Sequence, residues 1–235
     1  ERSHMSTSAG RPERLESEAE LIECMTRPSP AVTAAMQAVD GDILILGVGG
    51  KMGPSLAELL VRAGARRVIG VARFSDAAVR SCLEAVGVET VQADLLAEGG
   101  LQALPEAANV FLLAGFKFGA TGNESLTWAM NTMLPERVVS RYRQARIVYV
   151  SSGNVYAFTP VDGRGAAEEG EVGPIGEYAQ SRLGGERLAE YAADQCGARL
   201  LISRLFYATE MRYGIIHDIG WRVWQGEAID LSMGH

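Results

Sequence analysis

The stretch ILILGVGGKMGPSLAELL, residues 43–60, decides the fold of this chain. It opens with four consecutive apolar residues, which is typical of a strand covered on both faces. Three glycines follow at intervals of three, and apolar residues then recur at helical spacing. The stretch therefore predicts a buried strand near 42–47, a tight glycine turn, and a helix near 52–63.

The three glycines of this turn, Gly47, Gly50 and Gly53, each meet a different physical need. A tight turn requires Gly47, close approach of a pyrophosphate requires Gly50, and close packing of helix on strand requires Gly53. Backbone amides at the helix start, with Lys51 and Met52 beside them, would face the phosphates. The alternative is an ordinary tight turn, but its place at the first strand of an alternating series favours a dinucleotide site.

Strands and helices alternate along the rest of the chain. Further strands are predicted near 67–72, 88–93, 109–114, 146–151 and 199–205, and helices near 76–86, 123–142 and 177–194. Runs that are apolar throughout are typical of a parallel sheet with helices on both faces. The sequence therefore predicts an α/β fold built on a doubly wound parallel sheet.

This pattern divides the chain into three segments. Residues 1–40 combine a start, ERSHM, that is typical of a cloning tag remnant with a helical appendage, whose helices are predicted near 13–25 and 31–39. Residues 41–210 form the predicted dinucleotide-binding domain. Residues 211–235 are expected to begin a C-terminal substrate-binding segment, with a helix and the start of a strand.

Charge, hydropathy and cysteine content argue against several classes of protein. The net charge is −7 and basic residues form no stripe with aromatic residues, so nucleic acid is not expected as a partner. The apolar runs are far shorter than the ~20 residues that cross a membrane. The three cysteines stand apart in apolar contexts, which predicts buried free thiols and a cytoplasmic protein. His217 has no neighbour at metal-ligand spacing, so no metal site is expected.

The end of the second predicted strand bears on the choice of cofactor. A site for NAD usually places a carboxylate there to bind the adenosine ribose. Here the strand ends in Val71, Ala72 and Arg73. A cation suits the 2′-phosphate of NADP, and Lys51 in the glycine turn is a second candidate for that contact. We therefore favour NADP over NAD, the alternative being that both cations are solvated surface residues.

Two further stretches, VYVSSGNVY (148–156) and EYAQSRLGGERL (177–188), complete a pattern that resembles a known family. With the glycine turn, they resemble the extended short-chain dehydrogenase/reductase superfamily, in its NAD-dependent epimerase/dehydratase group, over residues 42–233. The resemblance implies a Rossmann-type fold. It also implies a C-terminal substrate subdomain, which we expect to be incomplete or missing in this chain.

The resemblance gives roles to individual residues. Tyr178, Ser181 and Glu186 match the family's Tyr-x-x-Ser-Lys-x-x-x-Glu pattern, and Arg182 stands where the family has its lysine. In the family the tyrosine is the acid/base, while the lysine favours the phenolate form and bonds the nicotinamide ribose. Ser152 would bond the substrate oxygen.

Five more positions and one segment fit the order of the family's motifs. The five are the adenine contacts after the third strand, the end of the fourth strand, and an asparagine of the central helix. They correspond to Asp94 and Leu95, Ala114 and Gly115, and Asn131. The resemblance makes Asn131 the fourth catalytic candidate, with Tyr178, Ser152 and Arg182. The segment SRLFYATEMRYG, residues 203–214, resembles the one that lines the nicotinamide side.

The chemistry of hydride removal requires a base. Oxidation of a secondary alcohol leaves a carbonyl only if the hydroxyl proton also departs, and Tyr178 is the candidate that would take it. Arg182 lies on the same helix face with a permanent positive charge, but a forked guanidinium is not interchangeable with an ammonium. Three hypotheses stay open: a working variant site, chemistry that has moved to other residues, and cofactor binding with weak or no turnover.

The predicted function is that of an NAD(P)-dependent oxidoreductase or epimerase that acts by hydride transfer on a sugar-like or nucleotide-sugar alcohol or ketone. Gly153 and Asn154 stand where sugar 4,6-dehydratases of the group have an Asp-Glu pair, so a dehydratase is not expected. Lys117, after the fourth strand, is either a substrate contact or a solvated lysine. The resemblance implies a homodimer through helices 123–142 and 177–194. The alternative function is a regulatory protein that binds the dinucleotide without catalysis.

Overall fold

Six parallel strands form one sheet in the computed structural model, which describes residues 14–117, 122–160, 162–206 and 215–229. The strands are Ile43–Leu46 (β1), Val68–Ala72 (β2), Glu89–Gln92 (β3), Asn109–Leu112 (β4), Arg146–Ser152 (β5) and Arg199–Leu205 (β6). They pair in the order β3-β2-β1-β4-β5-β6. The direction of travel across the sheet therefore reverses between β1 and β4, and the predicted doubly wound, Rossmann-type sheet is confirmed.

Helices cover both faces of this sheet. The α-helices of the described residues are Glu18–Thr26 (α1), Pro30–Gln37 (α2), Gly53–Arg62 (α3), Ala77–Ala85 (α4), Glu124–Trp128 (α5), Leu134–Arg141 (α6), Gly176–Cys196 (α7) and Ile215–Gln225 (α8). In β1, Ile43 and Ile45 pack with α3 and α4 on one face. Leu44 and Leu46 pack with α6 and α7 on the other face. Both faces are buried, as the uniformly apolar run predicts.

The helix predicted over 123–142 is interrupted by one π-helical turn, Ala129–Met133, between α5 and α6. Pro135 has no N–H, so the ordinary helical bond to the carbonyl of Asn131 cannot form. That carbonyl instead accepts a hydrogen bond from the Tyr149 hydroxyl at 3.3 Å, while the Leu134 amide donates to Ala129, five residues earlier. Because the π turn inserts one residue into an otherwise regular helix, apolar spacing does not reveal it.

The N-terminal helix α1 packs against α3. Thr26 is buried in this contact, where its hydroxyl donates to the Glu58 carboxylate at 2.9 Å and accepts from Arg62 at 2.7 Å. Arg62 also donates to Glu23, and this bond lowers the pKa of the Glu23 carboxyl to about 2. The helix starts later than the predicted residue 13, because the Ser17 side chain caps it by accepting from the Glu20 amide.

The last described element is α8, and its side chains from 216 to 225 are all exposed. The strand predicted after it falls mainly on residues 230–235, which lie outside the described residues. Within the described ranges, no helix is long and apolar enough to cross a membrane.

The cysteines differ from the prediction of three buried thiols. All three are free, but Cys82 is exposed, and Cys24 and Cys196 are half-buried. The prediction is wrong for Cys82 because α4 turns Leu83 toward the core and the preceding residue toward solvent. An apolar sequence context therefore does not bury every residue of an amphipathic helix.

Candidate functional site

An open crevice runs along the carboxyl ends of the strands, at β1 and β4, the neighbouring strands between which the strand order reverses. Two cavities form it: one of about 340 Å³ over the ends of β1 and β2, here called the β2-side cavity, and one of about 400 Å³ beside β5 and α7, the α7-side cavity. They share a floor made of Gly47, Gly50, Leu113, Gly115 and Phe116. In open α/β sheets, ligands bind in the crevice at such a reversal of strand order.

The glycine turn between β1 and α3 forms the middle of this crevice. Gly47 has a φ of +90°, and a Cβ there would lie 2.6 Å from the backbone nitrogen of Ala114. A Cβ at Gly53 would overlap the carbonyl oxygen of Val48, so only glycine lets α3 start this close to the turn. No side-chain hydrogen bond caps the start of α3. The positive end of the helix dipole therefore lies at the crevice, where it attracts an anion such as a phosphate.

The β2-side cavity contains the predicted contacts to the adenosine half of a dinucleotide. They are Arg73, Asp94, Leu95 and Ala114. Arg73 is exposed at the end of β2, while Leu95 and Ala114 are buried and give the cavity an apolar wall. One carboxylate oxygen of Asp94 accepts from the Leu96 amide at 2.9 Å, which fixes the side chain at the rim.

Two other residues of the β2-side cavity were missed by the sequence reasoning. Phe74 has a φ of +47°, a conformation that residues other than glycine rarely adopt. Asp76 accepts from the Ala78 amide at 2.9 Å and so caps α4. A carboxylate that closely follows β2 therefore does line this cavity, although one of its oxygens accepts a hydrogen bond from the start of α4. The signal for Asp76 was its capping position before α4, whereas the backbone conformation of Phe74 leaves no signal in sequence.

Lys51 lies away from Arg73. It lines the α7-side cavity together with Met52 and Gly53, whereas Arg73 lines the β2-side cavity. The interpretation of Lys51 as a second candidate for the 2′-phosphate contact is not supported by this arrangement. The reason is the direction of the glycine turn, which carries Lys51 toward β5 instead of β2.

The α7-side cavity contains three of the four predicted catalytic side chains. Tyr178 and Arg182, one helical turn apart on α7, line it together with Ser152 from the end of β5. Tyr178 is half-buried, and the Lys117 ammonium lies 5.3 Å from the centroid of its ring. The Ser152 hydroxyl accepts from the backbone amide of Asn154 at 3.2 Å. A phenol and an oriented hydroxyl therefore share one cavity, which is the pair that general acid/base chemistry on an alcohol requires.

Arg182 is an internal residue and not an exposed one, being only 4% accessible. Its guanidinium donates to the carbonyl of Val150 and, at 3.5 Å, to Oδ1 of Asn131. One of its terminal nitrogens fills the space that a side chain at Gly115 would need, since a Cβ there would lie 2.6 Å from it. Its Nε has no hydrogen-bond partner among the described residues. The cation is therefore fixed in the floor of the cavity.

A second phenol near the site is that of Tyr149. The guanidinium carbon of Arg182 lies 5.1 Å from the centroid of the Tyr149 ring. Tyr149 is fully buried and donates to the carbonyl of Asn131. Burial raises the pKa of Tyr149 to about 12, so this phenol stays protonated at neutral pH. Of the two phenols, only Tyr178 lines the cavity.

Asn131 lies beside the crevice but lines neither cavity. Its side chain is fully buried. Its amide group accepts from the Phe116 amide at 2.8 Å, donates to the Phe116 carbonyl at 2.9 Å, and donates to the Ser181 hydroxyl at 3.1 Å. Asn131 therefore ties the segment after β4 to α7, and this geometry suits a positioning role more than contact with a substrate.

The two adjacent glycines of α7 differ in their surroundings. A Cβ at Gly185 would overlap the carbonyl oxygen of Asn131 and lie 2.7 Å from the Tyr149 hydroxyl. A Cβ at Gly184 would meet only the Thr132 side chain, at 3.2 Å, and the Trp128 ring. Gly185 is thus the point at which α7 contacts the backbone of the π-helical turn.

This difference predicts that the two alanine variants differ in stability. Gly185→Ala is expected to lower the free energy of unfolding by about 1–3 kcal/mol or more, because backbone has to move. Gly184→Ala is expected to be close to neutral, since about 1 kcal/mol of gained helix propensity offsets a small adjustment of Thr132. Urea denaturation of both variants checks this, and equal stabilities would contradict the close approach at Gly185.

An ion pair with a fully buried carboxylate joins α7 to β6, and the sequence analysis gave it no role. Glu186 on α7 is completely buried and accepts from Arg204 on β6 at 2.8 Å and from the Ser151 hydroxyl at 2.5 Å. The Arg204 guanidinium also lies 4.7 Å from the Tyr156 ring centroid. The signal was an arginine, Arg204, inside a predicted strand, together with the glutamate of the Tyr178 helix.

A comparison with protein families decides where the chain belongs. The model of the NAD dependent epimerase/dehydratase family matches residues 43–209, which includes the glycine turn, Ser152 and Tyr178. The chain belongs to this family. The match covers β1 to β6 and therefore both cavities. Among curated proteins, none is significantly similar to the chain.

Solved structures of similar fold include several epimerases. UDP-glucuronic acid 4-epimerase from Bacillus cereus, in complex with NAD, is 18% identical with a TM-score of 0.65, and 79% of this chain covers 63% of that one. UDP-glucose 4-epimerase from Brucella ovis, also with NAD, is 21% identical with a TM-score of 0.58 over 72% of this chain and 52% of that one.

A third similar structure is a short-chain dehydrogenase/reductase superfamily protein from Agrobacterium tumefaciens with bound NAD. It is 23% identical with a TM-score of 0.58, over 69% of this chain and 48% of that one. The chain thus spans less than two thirds of the length of each of these three proteins. At these identities the comparisons establish a shared fold.

The residue after Ser152 is Gly153, at the position where the sequence analysis expects an acidic residue in a dehydratase. A Cβ at Gly153 would lie 2.5 Å from the ring of Phe206. Phe206 lines the α7-side cavity and stacks on Tyr156 with 5.8 Å between ring centroids. An acidic side chain at this position would therefore displace Phe206. The rest of the predicted nicotinamide-side segment, 207–214, lies outside the described residues.

No group of three or more His, Cys, Asp or Glu side chains lies close enough to hold a metal ion within the described part of the chain. His217 lies on α8, and its ring nitrogen is 3.2 Å from the carboxylate of the adjacent Asp218.

Proposed function

We propose that this protein is a dinucleotide-dependent oxidoreductase or epimerase that acts on a secondary alcohol or ketone of a sugar-like substrate. The observation that carries the proposal is that Tyr178 and Ser152 line a cavity that is continuous with the glycine turn. A dinucleotide with its pyrophosphate at Gly50 and its adenosine in the β2-side cavity would have its nicotinamide end in the α7-side cavity.

In this proposal the residues of the chain divide the work on the substrate oxygen. When bound, NAD or NADP supplies the hydride acceptor or donor. Tyr178 removes the hydroxyl proton in the oxidative direction and returns it in the reductive direction. The hydroxyl of Ser152, oriented by Asn154, hydrogen bonds to the same substrate oxygen. Arg182 contributes a fixed positive charge to the floor of the cavity.

The preference for NADP over NAD is a finer part of the proposal and rests on Arg73. Its exposed side chain lines the β2-side cavity at the end of β2, where no carboxylate follows directly. The carboxylate of Asp76 is nearby but caps α4. Structures of similar fold contain NAD, and a preference for NAD is therefore the alternative that a binding measurement tests.

Arg73→Ala is expected to weaken binding of NADPH about 10-fold to 100-fold while it leaves NADH binding nearly unchanged. The reason is the loss of a charged hydrogen bond to the 2′-phosphate, worth about 1.5–3 kcal/mol. Fluorescence titration with both reduced cofactors measures the effect. Arg66→Ala, an exposed arginine outside both cavities, is the matched control. An equal loss for both cofactors would contradict a contact with the 2′-phosphate.

The substrate class proposed is a nucleotide-linked sugar. Support comes from the family and from similar structures whose proteins act on UDP-sugars. Gly153 and Phe206 favour epimerisation or reduction over dehydration. The test is incubation with UDP-glucose and UDP-glucuronic acid in the presence of NAD or NADP, followed by separation of the epimers. Formation of a 4-keto-6-deoxy product would contradict the proposal.

A second candidate function is a regulatory protein that binds the dinucleotide without turnover. The burial of Arg182, with its guanidinium committed to Val150, favours it, because this guanidinium then cannot move toward a bound substrate. The retained Tyr178 and Ser152 argue against it. Tight binding of reduced cofactor, with no oxidation by any ketone or sugar nucleotide of a panel, would establish this second function.

The organisation of the protein completes the proposal. We keep the division into an appendage at 1–40, a dinucleotide-binding domain at 41–210 and a substrate-binding segment from 211. A homodimer would form through α5, α6 and α7, where Leu188 and Tyr191 are exposed. Light scattering measures the mass of the particle in solution, and fractionation of the source cells tests the proposed location in the cytoplasm.

A further inference from the structure

The lysine that the family places one turn after its tyrosine has no direct counterpart here, but another lysine lies at the same phenol. We propose that Lys117, from the segment after β4, supplies the positive charge that stabilises the phenolate of Tyr178, while Arg182 has become a fixed part of the cavity floor. Lys117 is then a positioning residue that acts through Tyr178. This inference rests on the proposed function only for the role of the phenolate as the base that removes the substrate proton.

The contacts of Arg182 separate it from this task. Its guanidinium is held by the Val150 carbonyl and by Asn131, and it packs against the ring of Tyr149. Its position is also fixed by Gly115, whose missing side chain gives it room. A side chain that is only 4% accessible and held in this way cannot follow the phenol of Tyr178 as a flexible ammonium would.

Lys117 has the properties that Arg182 lacks. Its ammonium lies 5.3 Å from the centroid of the Tyr178 ring, inside the ~6 Å range of a cation–π contact. Its residue is exposed and lines the α7-side cavity. A compact ammonium on a four-carbon stem can move from the face of the ring to its oxygen as charge develops there.

The segment that carries Lys117 is also anchored. Phe116, the residue before it, makes two backbone hydrogen bonds to the buried side chain of Asn131, at 2.8 and 2.9 Å. Asn131 in turn holds Ser181, three residues after Tyr178 on α7. The side-chain bonds of Asn131 thus set the spacing between the two backbones from which Lys117 and Tyr178 extend.

The other cations that line the cavity around Tyr178 favour the same ionised form of the phenol. Lys51 from the glycine turn and Arg182 from α7 line the same cavity, and no aspartate or glutamate is among its described lining residues. Glu177, next to Tyr178 in sequence, accepts from the Trp128 indole at 2.5 Å. Burial raises the pKa of Tyr149. Among the described residues, the end of β6 and the residue after it contribute the apolar Leu205 and Phe206 to the cavity. Lys117 is thus the cation in direct contact with the Tyr178 ring.

The experiment reads the phenolate of Tyr178 directly, without substrate. The chain has seven tyrosines, and subtracting the ultraviolet phenolate titration of Tyr178→Phe from that of the wild type isolates one of them. The same subtraction is made for Lys117→Met and Lys117→Arg, each with and without Tyr178→Phe. Arg187→Met, which removes an exposed cation of the same helix, is the control.

We expect the isolated titration to move to higher pH in Lys117→Met, because an opposite charge beside the phenol favours its ionised form. Lys117→Arg is expected to restore it, and Arg187→Met to leave it unchanged. Unfolding temperatures identify any variant that fails to fold, and Lys117→Gln then replaces Lys117→Met. A titration that does not move in folded Lys117→Met or Lys117→Gln overturns the inference.

The result separates this inference from the proposed function. A shifted titration in a protein with no turnover keeps the Lys117–Tyr178 contact and defeats the proposed activity. Turnover with an unmoved titration keeps the activity and defeats the contact. If both hold, the pH at which half of the maximal oxidation rate is reached rises in Lys117→Met by the same amount as the titration.

Discussion

Tyr178→Phe is expected to abolish turnover and to leave cofactor binding nearly intact. The phenol is the half-buried acid/base candidate of the α7-side cavity, whereas the neighbouring Tyr149 is kept protonated by burial. Loss of a positioned proton acceptor costs about 10²-fold to 10⁴-fold in rate. The substitution removes one oxygen atom and keeps the ring, so the packing of Lys117 over its face is retained.

Two measurements check this expectation. Steady-state oxidation of reduced cofactor gives the rate, and fluorescence titration gives the affinity for the cofactor. Tyr191→Phe is the matched control, because Tyr191 lies on the same helix and is 63% exposed. Turnover in Tyr178→Phe equal to that of the wild type would refute the assignment of Tyr178 as acid/base.

Arg204→Met is expected to cause the largest loss of stability, about 3–5 kcal/mol. The substitution leaves the carboxylate of Glu186 completely buried, and the Ser151 hydroxyl is then its one remaining side-chain partner among the described residues. Removal of one partner of a buried ion pair costs this much because the other charge stays unpaired away from water. The Tyr156 ring also loses the guanidinium that packs on it.

Urea denaturation measures this loss, with Arg199→Met as control, since Arg199 lies on the same strand but is exposed. The double variant Arg204→Met with Glu186→Gln is expected to recover part of the stability, because no unpaired charge is left buried. If Arg204→Met were as stable as Arg199→Met, the ion pair would contribute nothing to the fold.

The framework of the fold was predictable because its signals are local. Strands β1, β2 and β4 are short runs of mainly apolar residues, and the observed strands begin and end within two residues of the predicted ones. The roles of Gly47 and Gly53 followed from the steric needs of the turn, and the added-Cβ distances agree with them. The π-helical turn was not predictable, because it depends on the missing N–H of Pro135 and on a tertiary bond from Tyr149.

The positions of the site residues along the sheet edge were partly predictable, but the contacts that they make with one another were not. The order of the motifs along the chain predicts which residues follow each strand, and the ends of parallel strands meet at one edge. Burial of Arg182 depends on the space at Gly115, which lies on a different strand connection. The contact of Lys117 with Tyr178 likewise joins residues 61 positions apart, and no spacing rule relates them.

The π-helical turn has a consequence for the helix that follows it. In a regular helix each residue advances the side-chain direction by about 100°. The five residues from Ala129 to Met133 add one step to the rotation between α5 and α6, and Val138 and Val139 of α6 are fully buried with this step included. The added residue therefore turns the apolar side of α6 toward the sheet. Without it, that side would point about a quarter-turn away from the sheet.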